Sequence, residues 1–101
     1  MARYKFMVLA NAKQGREEDY RQWYANQHMP DVMAVPGFVS CELLEHVGPE
    51  GRWLFSNLYD IESDDIDATM AELFRRSGTD LMPMSDAVDG DSLFTGVFKP
   101  R

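Results

Sequence analysis

The chain has only two helical stretches to cover strands that are apolar on both sides, and this mismatch limits its possible folds more than any other feature. The segment RYKFMVLAN (Arg3–Asn11), followed by the turn signal AKQG, reads as a first strand. Tyr4, Phe6, Val8 and Ala10 lie on one of its faces, with Met7 and Leu9 on the other, a pattern suited to a strand covered on both sides. FVSCELLEHV (Phe38–Val47) is the second strand, in which Val39, Cys41 and Leu43 alternate with Phe38, Ser40, Glu42 and Leu44. GPEG (Gly48–Gly51) is a tight connection to the third, RWLFSNLYDI (Arg52–Ile61), and so short a loop implies an antiparallel hairpin. Trp53, Phe55, Asn57 and Tyr59 share one face of that third strand; Leu54, Ser56 and Leu58 share the other. SLFTGVFKP (Ser92–Pro100) is the fourth strand.

Between the first two strands, REEDYRQWYANQH (Arg16–His28) reads as a helix with an acidic first turn of Glu17, Glu18 and Asp19, which complements the helix dipole. Tyr20, Trp23, Tyr24 and Gln27 follow helical spacing and form a narrow aromatic stripe. Pro30 disfavours helical geometry at Met29 and can open a new segment, Pro30–Val35, which VPG then ends. The second helix begins after Ser63 and two aspartates, which cap and charge its start. It carries Ile66, Met70, Leu73 and Phe74 as its apolar stripe and ends at Gly78. Thr79–Asp91 is an irregular loop with Leu81, Met82 and Met84 embedded in it.

The resulting order, β-α-β-β-α-β, predicts an α+β, ferredoxin-like subunit: a four-stranded antiparallel sheet with two helices on one face. The other face then exposes large apolar side chains, more than a soluble monomer tolerates. The expected partner is a second copy packed sheet to sheet, a homodimer.

At 101 residues the chain suits one domain. Its net charge of −7 and lack of a basic stripe argue against nucleic acid. The run FMVLANA is too short for a membrane span and lacks the form of a signal peptide, so the expected location is the cytoplasm, with no membrane partner. Cys41 is the only cysteine, so no internal disulfide is available. His28 and His46 lack further ligands at metal spacing, so no metal site is expected.

The run WYANQHMPDVMAVPGFVSCELLE resembles the pattern W-Y-x-x-x-H-x-P-[DE]-x-x-x-x-P-G-F of the dimeric α/β-barrel superfamily, especially its EthD-like members. RWLFSNLYDIES and LMPMSDAVD resemble the family's acid-ended third strand and the loop before its last strand. The resemblance covers most of the chain in order. It implies a homodimer whose two sheets close into a barrel, with a pocket in each subunit between sheet and helices. Members include cofactor-free monooxygenases, isomerases, cyclases and lyases for small aromatic or polyketide-like molecules, together with stress proteins, so the fold leaves the function open.

His28 is the first candidate for chemistry, because its free pKa lies nearest neutrality. Carbonyl ends of a helix favour its charged form, burial against aromatics its neutral form, and a purely structural role at a kink is the alternative. Asp31 either orients His28 as the acid of a His–Asp pair or only serves the dipole of the following segment. Trp23 and Tyr24 are adjacent, so they point about a quarter turn apart and cannot both face one pocket wall fully; Tyr24 shares the His28 face. Asn57 is an amide among aromatics, bonded either to a ligand carbonyl or to backbone or a water. Tyr59 and Trp53 are candidates either for stacking on a ligand or for the barrel core, and Phe6 adds a wall on the first strand. Met84, in the Leu81–Met84 loop, is a candidate lid, the alternative being a loop packed over a helix end. The function expected is that of a cofactor-independent enzyme doing proton-transfer chemistry on a small aromatic or carbonyl-bearing compound. The alternative is a dimer that binds a ligand, or serves in stress, without chemistry.

Overall fold

A computed structural model of the chain describes residues 1–48 and 51–101. It contains β1 (Ala2–Ala10), α1 (Glu17–Trp23), a π-helical segment (Tyr24–His28), α2 (Met29–Met33), β2 (Phe38–Glu45), β3 (Phe55–Ser63), α3 (Ile66–Arg76) and β4 (Phe94–Phe98). The four strands form one sheet in the order β2-β3-β1-β4, every pair antiparallel. This is the ferredoxin-like α+β arrangement that the sequence predicts. Among the described residues no helix is long and apolar enough to cross a membrane.

β1 and β3 are the central strands, and their alternation is strict. Phe6, Val8 and Ala10 of β1 and Phe55, Asn57, Tyr59 and Ile61 of β3 are buried beneath the helices, while the residues between them are half-buried. The opposite face divides along its length. At one end it is polar, where Arg3 pairs with Glu62, and Asp60 takes both Lys5 and the Ser40 hydroxyl. At the other end it is apolar: Phe94 stands opposite Leu9, and Leu44 and Phe94 are 42% and 40% exposed, while Phe98, 47% exposed, stands opposite Lys5.

Four expectations change. First, β2 does not alternate uniformly: a bulge between Phe38 and Ser40 places Phe38 opposite Ile61 and Cys41 opposite Tyr59. One extra residue in the strand returns Phe38 to the buried face, beside Cys41 instead of opposite to it. Second, β2 ends at Glu45 and β3 starts at Phe55, so the connection is longer than GPEG; Pro49 and Glu50 of that turn lie outside the described residues. Third, Trp53, freed from the strand, does not share the face of Phe55, Asn57 and Tyr59. Its indole donates to the Ser92 carbonyl at 2.6 Å and its ring lies 6.2 Å from that of Phe94.

The fourth change lies between Gln22 and Phe38. No break occurs at Met29, whose φ and ψ of −61° and −47° are helical, and the chain stays helical from Glu17 to Met33. The five-residue π segment takes the place of the expected kink, its ladder closing from the Met29 N–H to the Tyr24 carbonyl. Pro30 has no N–H, and its ring would press on the carbonyl four residues back in a regular helix. A wider turn just before it relieves both demands. The chain then leaves through Gly37, at φ +103°, a left-handed conformation open to glycine at little cost.

α3 is capped as its sequence implies, with the Asp65 carboxylate accepting from the Ala68 N–H at 3.1 Å. Met70 and Leu73 are buried against the sheet, but Phe74, expected in the same stripe, is 57% exposed.

Candidate active site

Between the sheet and the helices lies a cavity of about 130 Å³. A cavity of about 150 Å³ in another protein holds one benzene ring, so the space here is that of a single small ring. β1 supplies Phe6 and Val8 to its floor, β3 supplies Tyr59 and β4 supplies Thr95. Trp23, Tyr24 and His28 line the helical wall. The end of α3 and the following loop close the rest through Leu73, Phe74, Met82 and Met84.

The π segment decides what the helical wall presents. At 100° per residue an α-helix would set Trp23 and His28, five positions apart, about 140° from each other. Hydrogen bonding from i to i+5 brings such positions over one another. The two rings stack, with 4.6 Å between centroids and 23° between planes. Tyr24 meets the same imidazole edge-on at 4.9 Å. Trp23 and Tyr24 therefore both face the one wall, contrary to the expectation from regular helical spacing.

His28 is held neutral. Desolvation among these rings pushes its pKa down to about 4, and the field of Asp31 opposes this only weakly. The carbonyl-end effect weighed from the sequence does not arise, because the helix continues past His28 to Met33. Its Nδ1 is fully buried and has no hydrogen-bond partner. Unpaired buried polar atoms are rare in folded proteins, and this one belongs to a side chain that lines the cavity.

Beneath the rings runs a phenol network. The hydroxyls of Tyr24 and Tyr59 lie 2.6 Å apart, and burial raises both pKa values above the usual phenol range. The Cys41 thiol, next to Tyr59 across the strand pair, is also raised by burial. The Asn57 amide donates to the Tyr20 hydroxyl at 3.2 Å, and the Tyr20 ring stacks on Phe55 at 4.2 Å.

The structure thus brings together His28, Trp23, Tyr24, Tyr59, Phe6 and Met84 around one cavity. It does not bring Asp31 or Asn57 there. Asp31 accepts from the Gln27 amide at 2.7 Å, not from His28, so no His–Asp pair forms. Asn57 bonds the Tyr20 hydroxyl, a side-chain partner outside the ligand, backbone and water weighed from the sequence. Thr95 and Ser77 also line the cavity, and no pattern in the sequence singles them out; Phe74, read from the sequence only as part of a helical stripe, lines it too. Among the described residues no group of three or more His, Cys, Asp or Glu side chains is placed to hold a metal ion.

No protein-family model matches the sequence, and no curated protein does. Solved structures do match. A candidate monooxygenase from Shewanella loihica PV-4 superposes with a TM-score of 0.72 at 11% identity, over 99% of this chain and 95% of that one. An EthD family protein from Bacillus halodurans C-125 gives 0.60 at 13%, over 98% and 99%. The haem-degrader MhuD of Mycobacterium tuberculosis, solved with two haems bound in its active site, gives 0.66 at 17%, over 96% and 94%. At such identities the likeness is one of fold. That one of these neighbours is an EthD family protein agrees with the sequence resemblance.

Proposed function

We propose that residues 1–101 form one domain of the dimeric α/β-barrel kind, a cofactor-independent enzyme in which His28 moves a proton on a small aromatic or carbonyl-bearing molecule. The observation that carries this reading is the state of His28: a neutral imidazole at the wall of an apolar cavity, with one nitrogen buried and unpaired. A neutral imidazole can take a proton from carbon beside a carbonyl, or from a phenol, and return it elsewhere. Such chemistry serves isomerisation, cyclisation or carbon–carbon cleavage. In the Tyr24–Tyr59 pair one hydroxyl donates to the other, which leaves the second proton to bond a ligand oxygen. Asp31 keeps only an electrostatic influence on the imidazole.

The ligand of the haem-degrading neighbour does not carry over, because a porphyrin is several times too large for a cavity of about 130 Å³. The lone Cys41 fits a reducing compartment, and we place the protein in the cytoplasm. The apolar end of the open sheet face is the surface for a second copy. Light scattering should give twice the 11.6 kDa chain mass, and a monomer would remove the dimer from the proposal.

The second reading, a dimer that binds without chemistry, is favoured by the small number of polar groups in the cavity wall. The experiment that separates the two is turnover by His28→Ala on a substrate found by screening small phenols and ketones. Loss of a proton-transfer group should lower kcat by about 10²–10⁴-fold. Unchanged turnover would sink the catalytic role.

A further inference from the structure

We infer that the cavity selects an uncharged ring bearing a hydroxyl or carbonyl group, and that an apolar substituent of that ring leaves through a mouth formed by Phe74, Met84 and Leu93. The inference rests on the reading of the cavity as a ligand site and names the class of ligand.

The first argument is charge. Among the described residues no Lys, Arg, Asp or Glu lines the cavity; its polar side chains are His28, Ser77, Thr95, the tyrosines and Trp23, whose N–H is bonded to the Pro83 carbonyl. A carboxylate carried into such a wall gives up its hydration and meets no counter-charge, which is strongly unfavourable. His28 does not supply one, being neutral. The two cations that follow Phe74 in α3 are already engaged: Arg75 and Arg76 both bond the Glu72 carboxylate, at 2.6 Å each. The whole chain, at −7, also repels anions. A phenol or ketone meets none of these penalties.

The second argument is the mouth. Phe74, Met84 and Leu93 all line the cavity, yet they are 57%, 49% and 44% exposed. They come from α3, from the loop after it and from the approach to β4, so three separate parts of the chain place apolar side chains at one opening. The interior holds only one small ring, so anything larger must continue past these three residues, where its apolar surface leaves water.

Calorimetric titration with phenol, para-butylphenol, benzoate and para-butylbenzoate at neutral pH tests both arguments without requiring turnover. para-Butylphenol should bind about tenfold or more tighter than phenol, as expected if its chain is partly buried. Each benzoate should bind at least about a hundredfold more weakly than the matching phenol. Phe74→Ser should reduce the para-butylphenol-to-phenol ratio to about threefold or less. Benzoates binding as well as phenols would overturn the charge selection. A missing butyl gain, or one that survives Phe74→Ser, would overturn the mouth. Either result would leave the His28 proposal standing, whereas failure of all four probes to bind would remove the ligand site and the inference with it.

Discussion

The indole of Trp23 carries the imidazole of His28 on its face, 4.6 Å between ring centroids, while its N–H donates to the Pro83 carbonyl at 3.2 Å. One side chain therefore orients the candidate base and ties down the loop beside it. Trp23→Phe keeps a ring for the stack but loses the donor, and should cost about 1 kcal/mol in chemical denaturation. Trp23→Ala loses both and should cost about 3 kcal/mol. Amide exchange at Leu81, Met82 and Met84 should quicken in both variants; an unchanged rate in Trp23→Phe would show that the tether does not restrain the loop.

His28 should leave a signature in acid. Its pKa is lowered on folding from 6.5 to about 4, so the unfolded chain takes up the proton first. The contribution to stability is therefore complete above about pH 6.5 and drains away as the pH falls towards 4. Its loss amounts to about 3 kcal/mol over that span. The comparison is with His28→Gln, whose stability should lack this component. A difference between the two proteins that stays constant from pH 7 to pH 4 would contradict the assignment. The acid limb of kcat/KM should likewise fall near pH 4 and not near 6.5.

The Tyr24–Tyr59 hydroxyl pair should behave as a unit. Tyr59→Phe leaves the Tyr24 hydroxyl buried with a partner removed, and should cost about 1–3 kcal/mol. Tyr24→Phe should cost a similar amount, and the double variant less than the sum, with a coupling of about 1 kcal/mol in a double-mutant cycle. Additive costs would mean that the two hydroxyls find other partners when separated.

Gly37 should resist substitution. A Cβ there would stand 3.2 Å from the Glu62 carbonyl oxygen and 3.3 Å from the Thr69 methyl, at φ +103°. Gly37→Ala should therefore destabilise by about 1–3 kcal/mol. A melting temperature within a degree of the parent protein would show that the turn relaxes freely.

What could be read from the residues was what repeats along an element. The two-residue period of Phe6, Val8 and Ala10 and of Phe55, Asn57 and Tyr59 grouped the residues that share a face, because each strand keeps it for its whole length, while which face the helices cover was left open by the apolar residues on both. The acidic entry to α1 and the Asp65 cap placed the helices. What escaped was each single-residue change of register. The bulge near Val39 leaves the composition of β2 unaltered while moving Phe38 to the other side. The π segment does the same for Trp23 and His28, since nothing in the apolar spacing distinguishes i+4 from i+5 closure. Asn57 could be placed on its face but not given its partner, because Tyr20 lies 37 positions away and meets it only after the helix docks. Ser77 and Thr95 carry no periodic signal, and only the folded chain brings them to the cavity.

The extra residue in the Tyr24–His28 turn also means that the place of the base is stored as a count of residues together with the closure that matches it. Removing Ala25, an exposed position, would allow ordinary four-residue closure without deleting any ring of the wall. The imidazole would then stand four positions after Trp23, about 40° around a regular helix, and would keep its side of the wall. With the present count it is the wide closure alone that holds the base there, since regular closure would set it about 140° away. A chain of this kind can therefore gain or lose one residue in this turn through a single codon and still present its base to the cavity, provided that the closure changes with the count.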